Sequence, residues 1–229
     1  MTSATFRVHL YLIRHGQSEV NLNLTSVRGQ ALPSVLTPLG NQQAVLLGKR
    51  LKFQNIHFDY VFSSTAIRAQ QTAEIALELM GVDRSNLVTS PALLEQSQGS
   101  WEGLDRRECH TDEVIQRRSE THFEFSAPNG ESLRMVQKRG VEFLEPVIER
   151  AKEASMAENR DIFIGVFAHA NFFRSLLQYY TQCNPKDAWL IGQNNTAITE
   201  LLFNQHGTAL VRVNDSGHLL FAIPESSTT

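Results

Sequence analysis

Seven consecutive residues, Ile162 to Ala168, read Ile-Phe-Ile-Gly-Val-Phe-Ala and carry no polar side chain. A strand of this kind is apolar on both faces, so other elements must cover both. Val8 to Ile13 repeats the pattern with one polar interruption, His9. Tyr60 to Phe62 reads as a further strand. Thr196 to Phe203 and Ala209 to Val213 read as two late strands, with Gly207 in the turn between them.

Helical patterns fill the intervals. Thr37 is a natural N-cap followed by Pro38, and Leu39, Ala44, Leu47 and Leu51 mark one face behind it. From Thr65 onward, Ala66, Ala69, Ala73, Leu77 and Met80 recur at helical spacing, and Gly81 supplies a stop. A long helix is predicted from Glu131 with Leu133, Val136, Leu144, Val147 and Ala151 on one side. Pro146 should kink or split it. A fourth helix starts near Ala170 and carries Phe173, Leu176 and Tyr180. Strands alternating with helices predict an α/β fold, a three-layer α/β/α sandwich around a mostly parallel central sheet.

The chain has 229 residues, of which 41% are hydrophobic and 20% charged, with a formal charge of −3. This length suits one domain over residues 1–229, burying roughly 70–75% of the unfolded surface, so no disulfide or metal staple is needed. With two cysteines, Cys109 and Cys183, a disulfide framework is excluded and a cytoplasmic location is the expectation. No apolar run reaches the ~18 residues of a membrane span. The near-neutral charge argues against a nucleic-acid partner. The polar end, Glu225 to Thr229, is expected to fray.

In open α/β sheets, ligands bind outside the carboxyl ends of the strands. The first strand ends in Arg14-His15-Gly16. The second ends at Ser63-Ser64, with Arg68 on the next helix. The strand from Ile162 ends in Ala168-His169-Ala170, and Glu95 sits in a loop after the segment Leu87 to Leu94. Phosphoryl transfer through a histidine needs this set. A nucleophilic imidazole must be neutral with a free lone pair. Arg14 and Arg68 disfavour a further positive charge on His15 and offer planar forks to phosphate oxygens. His169 can donate one more hydrogen bond, and Gly16 leaves the backbone open to close approach. A carboxylic acid beside a phosphate dianion can hold a proton for the leaving alkoxide.

These motifs, taken in order, resemble the histidine phosphatase superfamily in its phosphoglycerate mutase-like branch. The resemblance runs through Leu12 to Glu19 with Asn21, through Leu36-Thr37-Pro38-Leu39-Gly40 with Gln43-Ala44, and through Ser63-Ser64 with Arg68 to Ala73. It continues in Leu94-Glu95 with Gly99 to Gly103, in Gly130-Glu131-Ser132, around His169 with Arg174, and in Asn214 to Leu219. It implies that His15 is phosphorylated, that Arg14, Arg68 and His169 hold the phosphoryl group, and that Glu95 is proton donor and then base. It implies that Asn21 and Gln30 line the phosphate or substrate pocket, and that no metal or organic cofactor takes part. The family commonly has Gly where this chain has Ala170, so the extra methyl is expected to reshape the binding pocket there.

The expected activity is hydrolysis of a small phosphomonoester. A cofactor-dependent phosphoglycerate mutase is the alternative, favoured by Asn171 and Arg174, and a non-catalytic phosphate-binding module is the third reading. The segment 96–127 is read as the part that sets substrate choice. Within it, Arg106, Arg107, Arg117 and Arg118 are read as solvated charge, with a smaller share given to contact with an anionic substrate. Glu102 and Trp101 are read as loop-structuring and packing residues, and Cys109 as inert. The histidines His9, His57, His110, His122, His206 and His218 are read as structural or surface residues.

Overall fold

The computed structural model describes residues 5–30 and 33–221. The end at residues 225–229, read above as frayed, lies outside that range. Six strands form one sheet: β1 (Arg7–Arg14), β2 (Tyr60–Ser64), β3 (Leu87–Ser90), β4 (Ile162–Ala168), β5 (Ile198–Asn204) and β6 (Gly207–Asp215). Their order across the sheet is β3-β2-β4-β1-β5-β6. The β3–β2, β2–β4 and β4–β1 pairs are parallel, while β5 runs against both β1 and β6. The sheet is therefore mostly parallel, and the fold is the α/β class that the sequence predicts.

Seven α-helices among the described residues accompany it: α1 (Glu19–Leu22), α2 (Pro38–Phe53), α3 (Ile67–Met80), α4 (Arg106–Cys109), α5 (Asp112–Thr121), α6 (Leu133–Glu158) and α7 (Ala170–Thr181). Strand alternation assigns the two sides. Val8, Leu10 and Leu12 of β1, with Ile162, Ile164, Val166 and Ala168 of β4, pack in one core with Leu144 of α6 and Phe173 of α7. Tyr11, Ile13 and Phe167 point to the opposite core with Leu47 and Leu51 of α2 and Leu77 of α3. The continuous apolar runs follow from this two-sided burial.

Helix ends follow the expected local chemistry. The Thr37 side chain accepts from Gly40 N–H with Pro38 at the first position, and Gly81 closes α3 in the left-handed region at φ 77°. Several details differ from the sequence reading. Leu39 faces solvent, and the buried face of α2 runs through Gly40, Ala44, Leu47, Gly48 and Leu51. The long helix starts at Leu133 because Ser132 caps it, its hydroxyl accepting from Met135 N–H. Pro146 does not split that helix. Its ring is exposed, while Leu144, Val147, Ile148 and Ala151 anchor the helix on both sides of it. β5 starts two residues later than predicted, and β6 begins at Gly207 itself. β3 was not predicted at all. It is a four-residue edge strand whose middle two residues are exposed, so it carries no two-sided apolar signal.

No helix among the described residues is long and apolar enough to cross a membrane.

Candidate active site

β1 delivers His15 to the carboxyl edge of the sheet. The His15 backbone is pinned there: its N–H donates to Ala168 O at 3.1 Å, and Asn195 Nδ2 donates to its carbonyl at 2.9 Å. The side chain is 3% exposed. Its Nδ1–H donates to Gly16 O at 2.7 Å, and Nε2 has no hydrogen-bond partner among the described residues. The tautomer is thereby set, with the lone pair on Nε2. Burial, then Arg14 and Arg68, hold the His15 pKa well below its ordinary value, so the ring is neutral.

Gly16 has a packing reason that sequence reading did not supply. A Cβ there would meet the Gly40 carbonyl oxygen at 2.6 Å. The loop and the start of α2 approach so closely that only glycine fits. Gly16 N–H donates to Thr72 Oγ1 at 3.0 Å, which ties the loop to α3 as well.

Arg14 and Arg68 reach the same place from β1 and from the first turn of α3. Arg14 Nη1 donates to Gln193 O and Arg68 Nη2 to Gly29 O, while the Nε–H of each is buried without a partner among the described residues. Burial lowers the Arg14 pKa to about 10, with Arg174 and Arg68 pulling the same way and Glu95 opposing. Burial also lowers that of Arg68, against the pull of Glu95 and Glu102. Both cations are held in a poorly solvated setting that an anion would relieve.

His169 is fully buried, with its ring centroid 5.2 Å from that of His15. Nε2 is 2.9 Å from Ser64 Oγ at the end of β2, and Nδ1 has no partner among the described residues. Glu95 lies at the N-terminus of α7. Its Oε1 accepts from Gln96 N–H at 2.9 Å and Phe172 N–H at 3.2 Å, and its Oε2 from Asn171 N–H at 3.3 Å. Behind it, Arg139 pairs with Glu131 and also donates to Glu95 O at 3.0 Å. The Gly130-Glu131-Ser132 motif thus supplies both the cap of α6 and the brace of the Glu95 loop.

Arg14, His15, Arg68 and Glu95 line one cavity of about 210 Å³. Asn21 lines it as well, its Oδ1 accepting from Ser18 N–H at 2.9 Å. Gln30 does not. Its side-chain amide donates to Glu95 O at 2.6 Å and to Glu131 Oε2 at 2.9 Å, so it belongs to the brace. His169 and Ala170 are not among the lining residues, although the His169 ring adjoins that of His15, which is. Ala170 is the first residue of α7, and the methyl expected to reshape the pocket lies outside its wall.

The wall holds residues that sequence reading placed elsewhere or passed over. Arg106 of α4, Arg118 of α5 and His110 between the two helices line it, with His122, Arg28 and Trp189. Arg107 and Arg117 do not. The structure places His110 and His122, read above as structural or surface residues, on this wall. Both lie in loop-rich segments without periodicity, and only their shared position in segment 96–127 hinted at it. Arg118 stacks over Trp189 at 4.4 Å, and Arg28, Arg106 and Arg118 form no ion pair among the described residues. Glu102, by contrast, accepts from Gln30 N–H and Gln98 N–H, both at 3.0 Å, and structures the loop. The motif Asn214 to Leu219 acts from a distance: Asn214 Oδ1 accepts from Asn194 N–H and His218 Nε2 meets Thr196 Oγ1 at 2.9 Å. These contacts hold the segment whose Gln193 and Asn195 touch Arg14 and His15. Among the described residues, no cluster of His, Cys, Asp or Glu could hold a metal ion.

A buried neutral histidine flanked by two arginines at the carboxyl edge of an α/β sheet is the set of groups that phosphoryl transfer through histidine calls for. The model of the histidine phosphatase superfamily, branch 1, matches residues 10–216, and the chain belongs to that family. A 2,3-bisphosphoglycerate-dependent phosphoglycerate mutase of Bartonella henselae is 35% identical over 188 residues, covering 78% of this chain and 84% of the relative. A mycobacterial glucosyl-3-phosphoglycerate phosphatase superposes with a TM-score of 0.78 at 23% identity, covering 92% of this chain and 99% of the other. A phosphoserine phosphatase of Entamoeba histolytica, solved with phosphoserine, gives a TM-score of 0.73 at 25% identity over 93% and 99%.

Proposed function

We propose that the protein is a phosphatase, one domain over its whole length, that hydrolyses a small phosphomonoester through a phosphohistidine on His15. The observation that carries this reading is the state of His15: neutral, buried, Nδ1–H tied to Gly16 O, and Nε2 free. Nε2 attacks phosphorus as the ester P–O bond breaks. Arg14 and Arg68 bind the charge spread over the phosphoryl oxygens. Glu95 gives its proton to the leaving oxygen. In the second half, water attacks the phosphohistidine, its proton passes to Glu95, and the P–N bond electrons return to Nε2.

The remaining lining points to the substrate class. Arg14 and Arg68 match one phosphoryl group. Arg28, Arg106 and Arg118 form no ion pair among the described residues, with Trp189 beside them. The substrate on this reading is a phosphomonoester with a second anionic group. Phosphoserine, which the E. histolytica structure contains, has that form. The mutase reading keeps the support of the B. henselae relative's name. It differs in one step, since a bound hydroxyl and not water would accept the phosphoryl group.

The test is turnover of an aryl phosphate and of phosphoserine at mildly acidic pH by wild type and His15→Ala. Phosphate release with an acid-labile phosphoryl mass on the His15 peptide, both lost in the variant, is the expected result. Absence of turnover in the wild type, or its survival in the variant, overturns the reading. Isomerisation of 3-phosphoglycerate primed by its bisphosphate, without phosphate release, would favour the mutase.

A further inference from the structure

The fully buried His169 has one ring nitrogen bonded and one orphaned. Burial, then Arg68, His15 and Arg14, hold its pKa well below the ordinary value, so the ring is neutral and carries a single N–H. Which nitrogen holds that proton decides what the ring can do. A proton on Nδ1 makes the orphaned atom a donor. A proton on Nε2 leaves a lone pair at Nδ1, which a phosphoryl oxygen would repel.

Ser64 resolves the choice. Its hydroxyl is buried and has one proton to give. Its oxygen already accepts from Ala66 N–H at 3.2 Å and lies 2.9 Å from His169 Nε2. If Nε2 carried the proton, Ser64 Oγ would accept twice and its own hydrogen would point at no acceptor in a buried site. Nδ1 would also be an unsatisfied acceptor. If Nδ1 carries the proton, the hydroxyl donates to Nε2 and accepts from Ala66, and both of its roles are filled. Of these two side chains, Nδ1–H alone is then unpaired among the described residues. Buried polar groups that lack partners are costly, so the balance favours the second arrangement.

The start of α7 agrees. His169 is the N-cap residue of α7, where an Nδ1 lone pair could accept a helix N–H, yet its side chain caps nothing. The Asn171 and Phe172 N–H groups go to Glu95. The orphaned atom behaves as a donor kept in reserve.

We propose that Ser64 is a positioning residue that fixes the tautomer of His169. Its hydroxyl donates to Nε2, so that Nδ1 presents a proton to the phosphoryl group. His15 has the opposite arrangement, with Gly16 O holding the proton on Nδ1 and leaving the lone pair on Nε2. Two neighbouring neutral histidines are thus set by two fixed partners, one as nucleophile and one as donor.

This inference rests on the phosphoryl-transfer reading for the identity of the anion, and its test needs no turnover. The nitrogen signals of His169 are read by NMR in the wild type, free and saturated with inorganic phosphate or vanadate. The expected result is a protonated Nδ1 in both states. A protonated Nε2 with the anion bound overturns the proposal, whatever the enzyme assay shows. Ser64→Ala is expected to give a mixture of tautomers in the free protein and about tenfold weaker vanadate binding, the loss of roughly one hydrogen bond. Ser64→Thr, which keeps the hydroxyl, is expected to restore the single tautomer and most of the affinity. A lower melting temperature in Ser64→Ala with unchanged tautomer and vanadate affinity would make Ser64 merely structural and sink the idea.

Discussion

The reactivity assigned to His15 depends on keeping a proton off Nε2, and burial does this first, with Arg14 and Arg68 adding to it. Arg68 has two jobs under the proposed mechanism: it suppresses protonation of His15, and its guanidinium would bind the phosphoryl group. Because the His15 pKa lies well below 6.5, its acid limb in kcat/KM should fall well below pH 6.5, and the rate should not drop as pH crosses that value. Arg68→Met should lower kcat/KM by about two orders of magnitude and move the acid limb toward neutrality. A pH–rate profile of the variant with an unmoved limb would contradict the electrostatic half of the argument. At this scale much could be read from residue types at strand ends, since Arg14, His15 and His169 follow two runs whose burial fixes where they stop. Direction could not. Gln30 sits at the same site but turns its amide to Glu95 O and Glu131, and no one-dimensional pattern encodes that turn. Arg28 lies in a loop and His122 and Trp189 in short 3₁₀ turns, where periodicity says nothing about which side chains converge.

At the scale of elements, α6 shows tertiary packing overriding a local rule. A proline inside a helix removes one hydrogen bond and crowds the preceding turn, at a cost of about 3 kcal/mol. The helix nevertheless continues from Leu133 to Glu158, because Leu144 on one side of Pro146 and Val147, Ile148 and Ala151 on the other are buried in the same core. Pro146→Ala should restore the missing bond while returning some freedom to the unfolded chain, a net gain of about 1–2 kcal/mol. Chemical denaturation would show it as a raised midpoint at unchanged slope, and a lowered midpoint would mean that the proline fits a bend the core requires. The same balance explains which elements could be read in the sequence. β1 and β4 declare themselves through two-sided burial, and α3 through its alanine stripe and Gly81. β3 is short, at the edge and half-open, so packing against β2 decides it. The short α4 and the mostly exposed α5 have no core face to announce them.

At the scale of the whole molecule, protons and charge couple distant parts. His218, near the far end of the described chain, is 6% exposed, and its pKa is lowered to about 4 by burial first and Arg50 second, with Asp215 opposing. Between pH 6.5 and pH 4 the unfolded chain takes up this proton and the folded chain does not. Stability therefore falls as pH drops through that window, by on the order of 3 kcal/mol from this group alone. His15 and His169 act in the same direction. His218→Gln should flatten the fall of Tm across the window without abolishing it. An unchanged slope would remove His218 from the account.

The formal charge of −3 conceals a cavity whose wall holds five arginines and one carboxylate, Glu95. Within that wall, Arg118 is pressed by like charge: burial first, then Arg106 and Arg174, lower its pKa. An anion entering there relieves the repulsion, and a low-dielectric wall strengthens the attraction. Arg118→Ala should therefore raise KM about tenfold for a substrate with a second anionic group while leaving kcat within a factor of about two, the pattern of lost ground-state binding. A singly anionic aryl phosphate should be affected far less, because Arg14 and Arg68 carry its only charged group. Added salt should raise KM for the doubly anionic substrate more steeply in the wild type than in the variant, since screening weakens an interaction the variant has already lost. Equal losses for both substrates would place Arg118 in the support of α5 against Trp189 and not in substrate recognition.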